Sequence, residues 1–176
     1  MSERLFFALL PDRAWRQDLH ARLVQLTASI DGKAQRPDQW HVTLEFLGQV
    51  PDARHAALRA AADRVHPPLI DLEFDRFEHW RKPQVVCLVA SRLPTGLETL
   101  VMDLRAALTE AGFVTEKRPL RPHVTLARKV RTAVESRIEP PLAWRSDGFV
   151  LVRSVTDGAG SRYEPVGWWN HAIEGR

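Results

Sequence analysis

The chain has 176 residues, 44% of them hydrophobic and 27% charged, which suits one globular domain burying about 70% of its unfolded surface. A formal charge of +3, from 25 basic and 22 acidic residues, excludes a polybasic coat for duplex nucleic acid and leaves room for a local basic groove. A lone cysteine excludes an intrachain disulfide or a cysteine-rich metal site, and no apolar run approaches the length of a membrane span.

Leu5 to Leu10 predicts a buried strand halted by Pro11-Asp12. The same run, LFFALL, is too short for a secretory segment, so a cytoplasmic location is expected. From Asp12 to about Ile30, Trp15, Leu19, Leu23 and Leu26 recur at helical spacing, and Asp31-Gly32 ends the pattern. A strand is predicted from His41 to Gly48, then a helix opened by Pro51-Asp52 and running to about Val65. Pro67-Pro68 forces an extended segment before two strands, Leu69 to Trp80 and Val85 to Ala90. Cys87 in the second of these reads as a small buried hydrophobe.

A third helix is expected from Gly96 to Ala111, with Leu97, Leu100, Val101, Leu104 and Leu108 on its apolar face and Gly112 closing it. Three strands complete the chain: His123 to Val130, Gly148 to Thr156 and Arg162 to Trp169, with Gly158 and Gly160 turning the last pair. Strand pairs without intervening helices argue for an α+β fold over a doubly wound parallel sheet. One stretch, KRPLRPHVTLARKVR, gathers Lys117, Arg118, Arg121, Arg128, Lys129 and Arg131. Either these form a solvated face or some of them meet a phosphate.

Two of the strands share four identical residues, HVTLEFLG at His41 and HVTLARKV at His123. Among seven histidines, ordinary residue frequencies give roughly 0.01 to 0.02 such coincidences, so chance is a poor explanation. Side chains alternate along a strand, so His41 and Thr43 share one face while Val42 and Leu44 take the other. His123 and Thr125 repeat the arrangement against Val124 and Leu126. Two such surfaces facing across a groove suit phosphodiester chemistry. Near an unperturbed pKa of ~6.5, one imidazole can take a proton from water while the other, charged, protonates the leaving oxygen. The threonine hydroxyls can donate to phosphate oxygens where charge is held in the transition state. Neither a metal nor another cofactor is needed, and the remaining histidines (His20, His55, His66, His79 and His171) fall at no metal-binding spacing.

The paired His-x-Thr-x segments resemble the defining motifs of the two-histidine (2H) phosphoesterase superfamily. Within it, RLFFALLPD, WHVTLEFLG, RPLRPHVTLARK and LVRSVTDGAGSRYEPVGWW, in that order, are similar to the RNA 2′,3′-cyclic phosphodiesterases formerly called 2′-5′ RNA ligases. The resemblance implies a single domain over 1–176, bilobal by pseudo-twofold duplication, with antiparallel sheets around a central cleft and helices outside. It implies metal-independent hydrolysis of an RNA-terminal 2′,3′-cyclic phosphate to a 2′-phosphate. Microscopic reversibility allows weak reverse 2′-5′ ligation, disfavoured in water, and a monomer that contacts no membrane is expected.

On that resemblance His41 is the acid toward the ribose 3′ oxygen and His123 activates water, although the symmetry permits the exchange. Arg128 is the phosphate-binding arginine and Phe46 the aromatic that stacks on the terminal base. Read from the residues alone, Phe46 is a core position. Both Phe46 and Arg128 lie five residues beyond their histidine, so each strand must bend for them to join its face. The chain departs from the pattern at Arg153-Ser154, where many relatives carry a Glu-Ser or similar pair. Rival readings are a 2H enzyme acting on a different 2′,5′-linked or cyclic nucleotide, and a nucleotide-binding module without turnover.

Overall fold

A computed structural model describes residues 1–27, 30–132, 136–157 and 160–169. The chain opens with β1 (Ser2–Leu9), α1 (Arg13–Thr27) and the short β2 (Lys33–Ala34). A single 3-10 turn at Pro37–Gln39 leads into β3 (Val42–Pro51), and another at Asp52–Arg54 into α2 (His55–Ala62). Then come β4 (Ile70–Trp80), β5 (Val85–Val89), α3 (Thr95–Glu110), β6 (His123–Arg128), β7 (Ser136–Ser146), β8 (Phe149–Asp157) and β9 (Gly160–Trp169). The Leu26 side chain and Gly158 lie outside the described residues.

The strands form two sheets, ordered β3-β1-β8-β9 and β2-β6-β5-β4-β7, with antiparallel pairing throughout. Each contains the unit strand–helix–motif strand: β1–α1–β3 in the first and β5–α3–β6 in the second. In both, the motif strand pairs with the strand that opened its unit. This is the expected α+β duplication. The halves nevertheless share one core, where Leu5, Phe7 and Leu9 of the first sheet join Leu72, Phe74 and Leu88 of the second.

Local chemistry explains the elements. The Asp12 carboxylate accepts the Trp15 N–H at 2.7 Å and caps α1, whose Trp15, Leu19 and Leu23 are buried. Trp15 packs on Phe74 and Trp144 of the second sheet, ring centroids 5.6 and 5.0 Å away. All five residues expected on the apolar face of α3 are buried, and Gly112, at φ +78°, closes it while the Phe113 N–H donates to the Leu108 carbonyl. No helix among the described residues is long and apolar enough to cross a membrane.

Two expectations need correction. β3 does not stop at Gly48; a bulge leaves Leu47 unpaired, Gly48 turns at φ +69°, and the strand continues to Pro51. β7 was not expected at all, because Pro140-Pro141 breaks its strand pattern. It is tolerated because β7 is an edge strand and its pairing with β4 is interrupted there. Phe74 faces Leu142 and Arg76 faces Arg137, so both prolines sit in the gap.

Candidate active site

The geometry of the site is set by one irregularity that occurs twice. Along β3, Thr43 pairs with Ala8 and Glu45 with Phe7, which leaves Leu44 as an extra residue. Leu44 and Glu45 are both buried on the core side, so Phe46 emerges on the same face as His41 and Thr43. Along β6, Thr125 pairs with Cys87 and Ala127 with Val86, leaving Leu126 extra. Leu126 and Ala127 are buried, and Arg128 emerges beside Val85 on the face of His123 and Thr125. These matching bulges supply the bend that Phe46 and Arg128 require. Phe46 is accordingly 63% exposed, not core.

In the first strand the bulge is anchored by charge. The Arg105 guanidinium of α3 donates to the Glu45 carboxylate at 2.7 Å, and the Glu116 N–H donates to its other oxygen at 2.6 Å. The Glu45 side chain is fully buried, so these donors replace its lost water.

Both imidazoles are held in the same way. Nδ1 of His41 lies 2.7 Å from the Gln39 carbonyl oxygen and Nδ1 of His123 lies 2.8 Å from that of Arg121. A carbonyl only accepts, so each Nδ1 carries the proton and each neutral ring keeps its lone pair on Nε2. Burial, then the nearby charges of His123 and Arg128, pushes His41 down to about 4, against the backbone bond that favours its charged form. His123 is lowered as well, by burial first and then by Arg121 and Arg128. Both shifts favour the neutral ring in the free site. The charge of His123 bears on His41, and that of Arg128 bears on both rings, so the three groups lie within electrostatic reach of one another.

The walls differ. His41 touches Phe6 and Tyr163, each at 5.0 Å between ring centroids, and Phe6 in turn touches Phe46 at 5.8 Å. His123 rests on Trp80 at 4.5 Å. Trp80 donates to Glu78 at 2.9 Å, and Arg121 lies over the Trp80 ring while donating to both Glu78 oxygens at 2.7 Å. Within the arginine-rich stretch, Arg118 is paired with Glu116 and Arg121 with Glu78. Arg128 has no carboxylate partner among the described residues.

Phe6, Tyr163, Trp80 and Glu78 were not anticipated. LFFALL is apolar on both faces, so nothing in it says which phenylalanine meets the histidine. The detectable signal was the alternation in EHW ahead of the turn to β5, which puts Glu78 and Trp80 on one face. Cys87 is buried as expected; burial raises its thiol to about 11, partly offset by the Thr125 hydroxyl. Arg153, the departure from the resemblance, points to the opposite face, where Glu3 and Glu164 bind it at 2.7 Å each. Its charge does not enter the site. No group of three or more His, Cys, Asp or Glu among the described residues is placed to hold a metal.

Comparison with known proteins identifies the family. The family model for the 2'-5' RNA ligase superfamily matches residues 10–158. An RNA 2′,3′-cyclic phosphodiesterase of Escherichia coli K12 is 33% identical over 171 residues, covering 95% of this chain and 96% of that protein. Another from Thermus thermophilus is 31% identical over 180 residues, covering 91% and 86%. The crystal structure of Escherichia coli LigT with 3′-AMP superposes with a TM-score of 0.86 at 29% identity, covering 96% of this chain and 98% of that one. The chain belongs to the 2'-5' RNA ligase superfamily, among the 2H phosphoesterases.

Proposed function

We propose that this superfamily member hydrolyses the 2′,3′-cyclic phosphate at the 3′ end of RNA to a 2′-phosphate, as a metal-independent general acid–base enzyme. The observation that carries the reading is the pair of identically tethered imidazoles, each with no hydrogen bond at Nε2 among the described residues and both within electrostatic reach of Arg128. The matching names of the Escherichia coli and Thermus thermophilus relatives support the substrate.

In this mechanism a water oxygen attacks phosphorus while one Nε2 takes its proton. The P–O3′ bond breaks, and the other ring delivers a proton to O3′. The acid is His41 and the base His123 on the family resemblance. Because both shifts favour the neutral ring in the free site, the acid acquires its proton as the anionic phosphate arrives and offsets the charge of Arg128. Arg128 pairs with the phosphate through its planar fork, Thr43 and Thr125 donate to non-bridging oxygens, and the terminal base stacks on Phe46. The same reading takes residues 1–176 as one domain, supported by the core shared between the halves, and the protein as a cytoplasmic monomer.

The test is incubation of purified protein with an oligonucleotide ending in a 2′,3′-cyclic phosphate, in excess EDTA, with the product phosphate position identified. Turnover to a 2′-phosphate is expected. Activity lost to EDTA and restored by a divalent metal would make the protein a metallohydrolase. Binding without turnover would make it a nucleotide-binding module.

A further inference from the structure

A cavity of about 250 Å³ opens beside His41, walled by β1, β8 and β9 of the first sheet, the start of the chain's first helix and the 3-10 turn before the histidine. Nothing in the proposed chemistry uses it, since the terminal base sits on Phe46 and the phosphate lies between the histidines. Its walls are the rings of Phe6, Tyr163 and Trp168 with Pro165, and its rim carries Asp38 and Gln39. We propose that this cavity is a subsite for the base of the penultimate nucleotide, so that the substrate is an RNA end at least two nucleotides long. This deepens the functional reading above and rests on it.

Size, chemistry and position support the assignment. Sites for drug-sized ligands run from about 300 Å³ upward, so a cavity just below that holds a single ring system. Aromatic walls suit any base, because stacking uses the π face that all bases have. Asp38 is bound by Arg36 at 2.5 and 3.0 Å, and Arg16 also lines the cavity, so these three side chains leave one net positive charge. The aromatic walls, not the charge, are what select a base. Trp168, 49% exposed, offers a large apolar surface next to a catalytic ring.

Position gives the register. The Phe6 ring contacts His41, Phe46 and Tyr163, at 5.0, 5.8 and 5.3 Å. The Phe46 platform and the Tyr163 wall are thus no more than about 11 Å apart, on either side of one shared ring. Adjacent nucleotides with splayed bases bridge such a gap, the usual posture of single-stranded RNA on a protein.

The experiment compares kcat/KM for a 2′,3′-cyclic mononucleotide, a dinucleotide ending in the same cyclic nucleotide, and that dinucleotide with an abasic penultimate residue. Wild type should prefer the complete dinucleotide over the mononucleotide about ten-fold or more, within the range for base–aromatic stacking. The abasic substrate should lose that preference. In Trp168→Ala the dinucleotide-to-mononucleotide ratio should fall toward one, and Trp168→Phe should restore most of it. If Trp168→Ala does not fold, the abasic comparison decides the matter on wild type alone. Equal use of mononucleotide and dinucleotide, or a preference that survives removal of the base, would overturn the subsite while leaving the functional reading intact. Failure of wild type to hydrolyse any of the three would instead overturn that reading, and the subsite with it.

Discussion

The strand β3, with His41 just ahead of it, and β6 share the same four residues, the same extra leucine after the threonine and the same tether from Nδ1 to a carbonyl two residues upstream. They diverge beyond that leucine. The bulge in β3 is pinned by the buried Glu45, where β6 has the apolar Ala127; Phe46 then occupies the position that Arg128 holds in β6. The His41 wall is aromatic, while the His123 wall combines Trp80 with the Glu78–Arg121 pair. Both copies keep a tethered imidazole and a neighbouring hydroxyl, the parts that the proposed proton transfer needs. On that proposal the residues beyond the bulge diverged, one half toward the base and the other toward the phosphate.

The strongest way to break this comparison is to remove each shared part in turn. His41→Ala and His123→Ala should each lower kcat by at least ~100-fold, and up to ~10,000-fold, with the fold intact by circular dichroism. The double variant should lose less than the product, because a base without its acid is already disabled. Each single variant should lose one limb of a bell-shaped pH–rate profile, and the limb lost assigns its role. Near-wild-type turnover in either variant would end the two-histidine mechanism. The exposed His66 is outside both motifs, and His66→Ala serves as the control.

The diverged position should separate in kind as well as size. Arg128→Ala removes charge stabilisation and should cost roughly 100- to 1,000-fold in kcat. Phe46→Ala removes stacking felt alike by ground and transition states, so KM should rise with kcat nearly unchanged, a loss of about 1–3 kcal/mol. If steady-state kinetics gave both variants the same pattern, the division of labour between the halves would be wrong.

The bulges themselves can be tested through stability. Glu45→Ala leaves the Arg105 guanidinium beside a buried void, and breaking a buried pair typically costs about 3–5 kcal/mol. With the Arg105 side chain 19% exposed, water recovers part of that, and about 2–3 kcal/mol is expected from urea melts. KM should also rise, because Phe46 follows the bulge. Ala127→Gly at the matching position removes one methyl and no charge, so its loss should be near 1 kcal/mol. Comparable losses would mean that the two bulges are held alike.

How much of this was legible in the sequence depends on periodicity. The repeat, the face shared by each histidine and its threonine, and the three helices could be read because strand alternation and helical spacing are local properties of the chain. Phe46 and Arg128 could not be placed by alternation, because a bulge is settled by the partner strand and leaves no mark in the strand that carries it. The Arg105–Glu45 pair spans 60 residues and β7 is held at an edge despite its prolines, so both depend on tertiary placement. The residue pattern argued for core at Phe46, and the bulge overrode it.

The smallest effect concerns the protons that the free site refuses. The unfolded chain takes up a proton on His41 near the ordinary 6.5, whereas the native chain holds it off to about 4. Between those values the unfolded state binds more protons, so stability rises with pH across the window and is lost as pH falls from about 6.5 toward 4. His123, lowered in the same direction, adds to the upper part of that slope. One pKa unit corresponds to about 1.4 kcal/mol. Half-burial screens part of this, leaving about 1–2 kcal/mol for His41, read as the extra loss of wild type over His41→Ala in melts from pH 7 to 4.5. Acidic groups titrate in both proteins and cancel in the difference. Inorganic phosphate should flatten the wild-type slope more than that of His41→Ala, since an anion between the rings favours an imidazolium. Parallel slopes in the two proteins would mean that His41 is hydrated in the free site, and that its acid proton is already present before the substrate arrives.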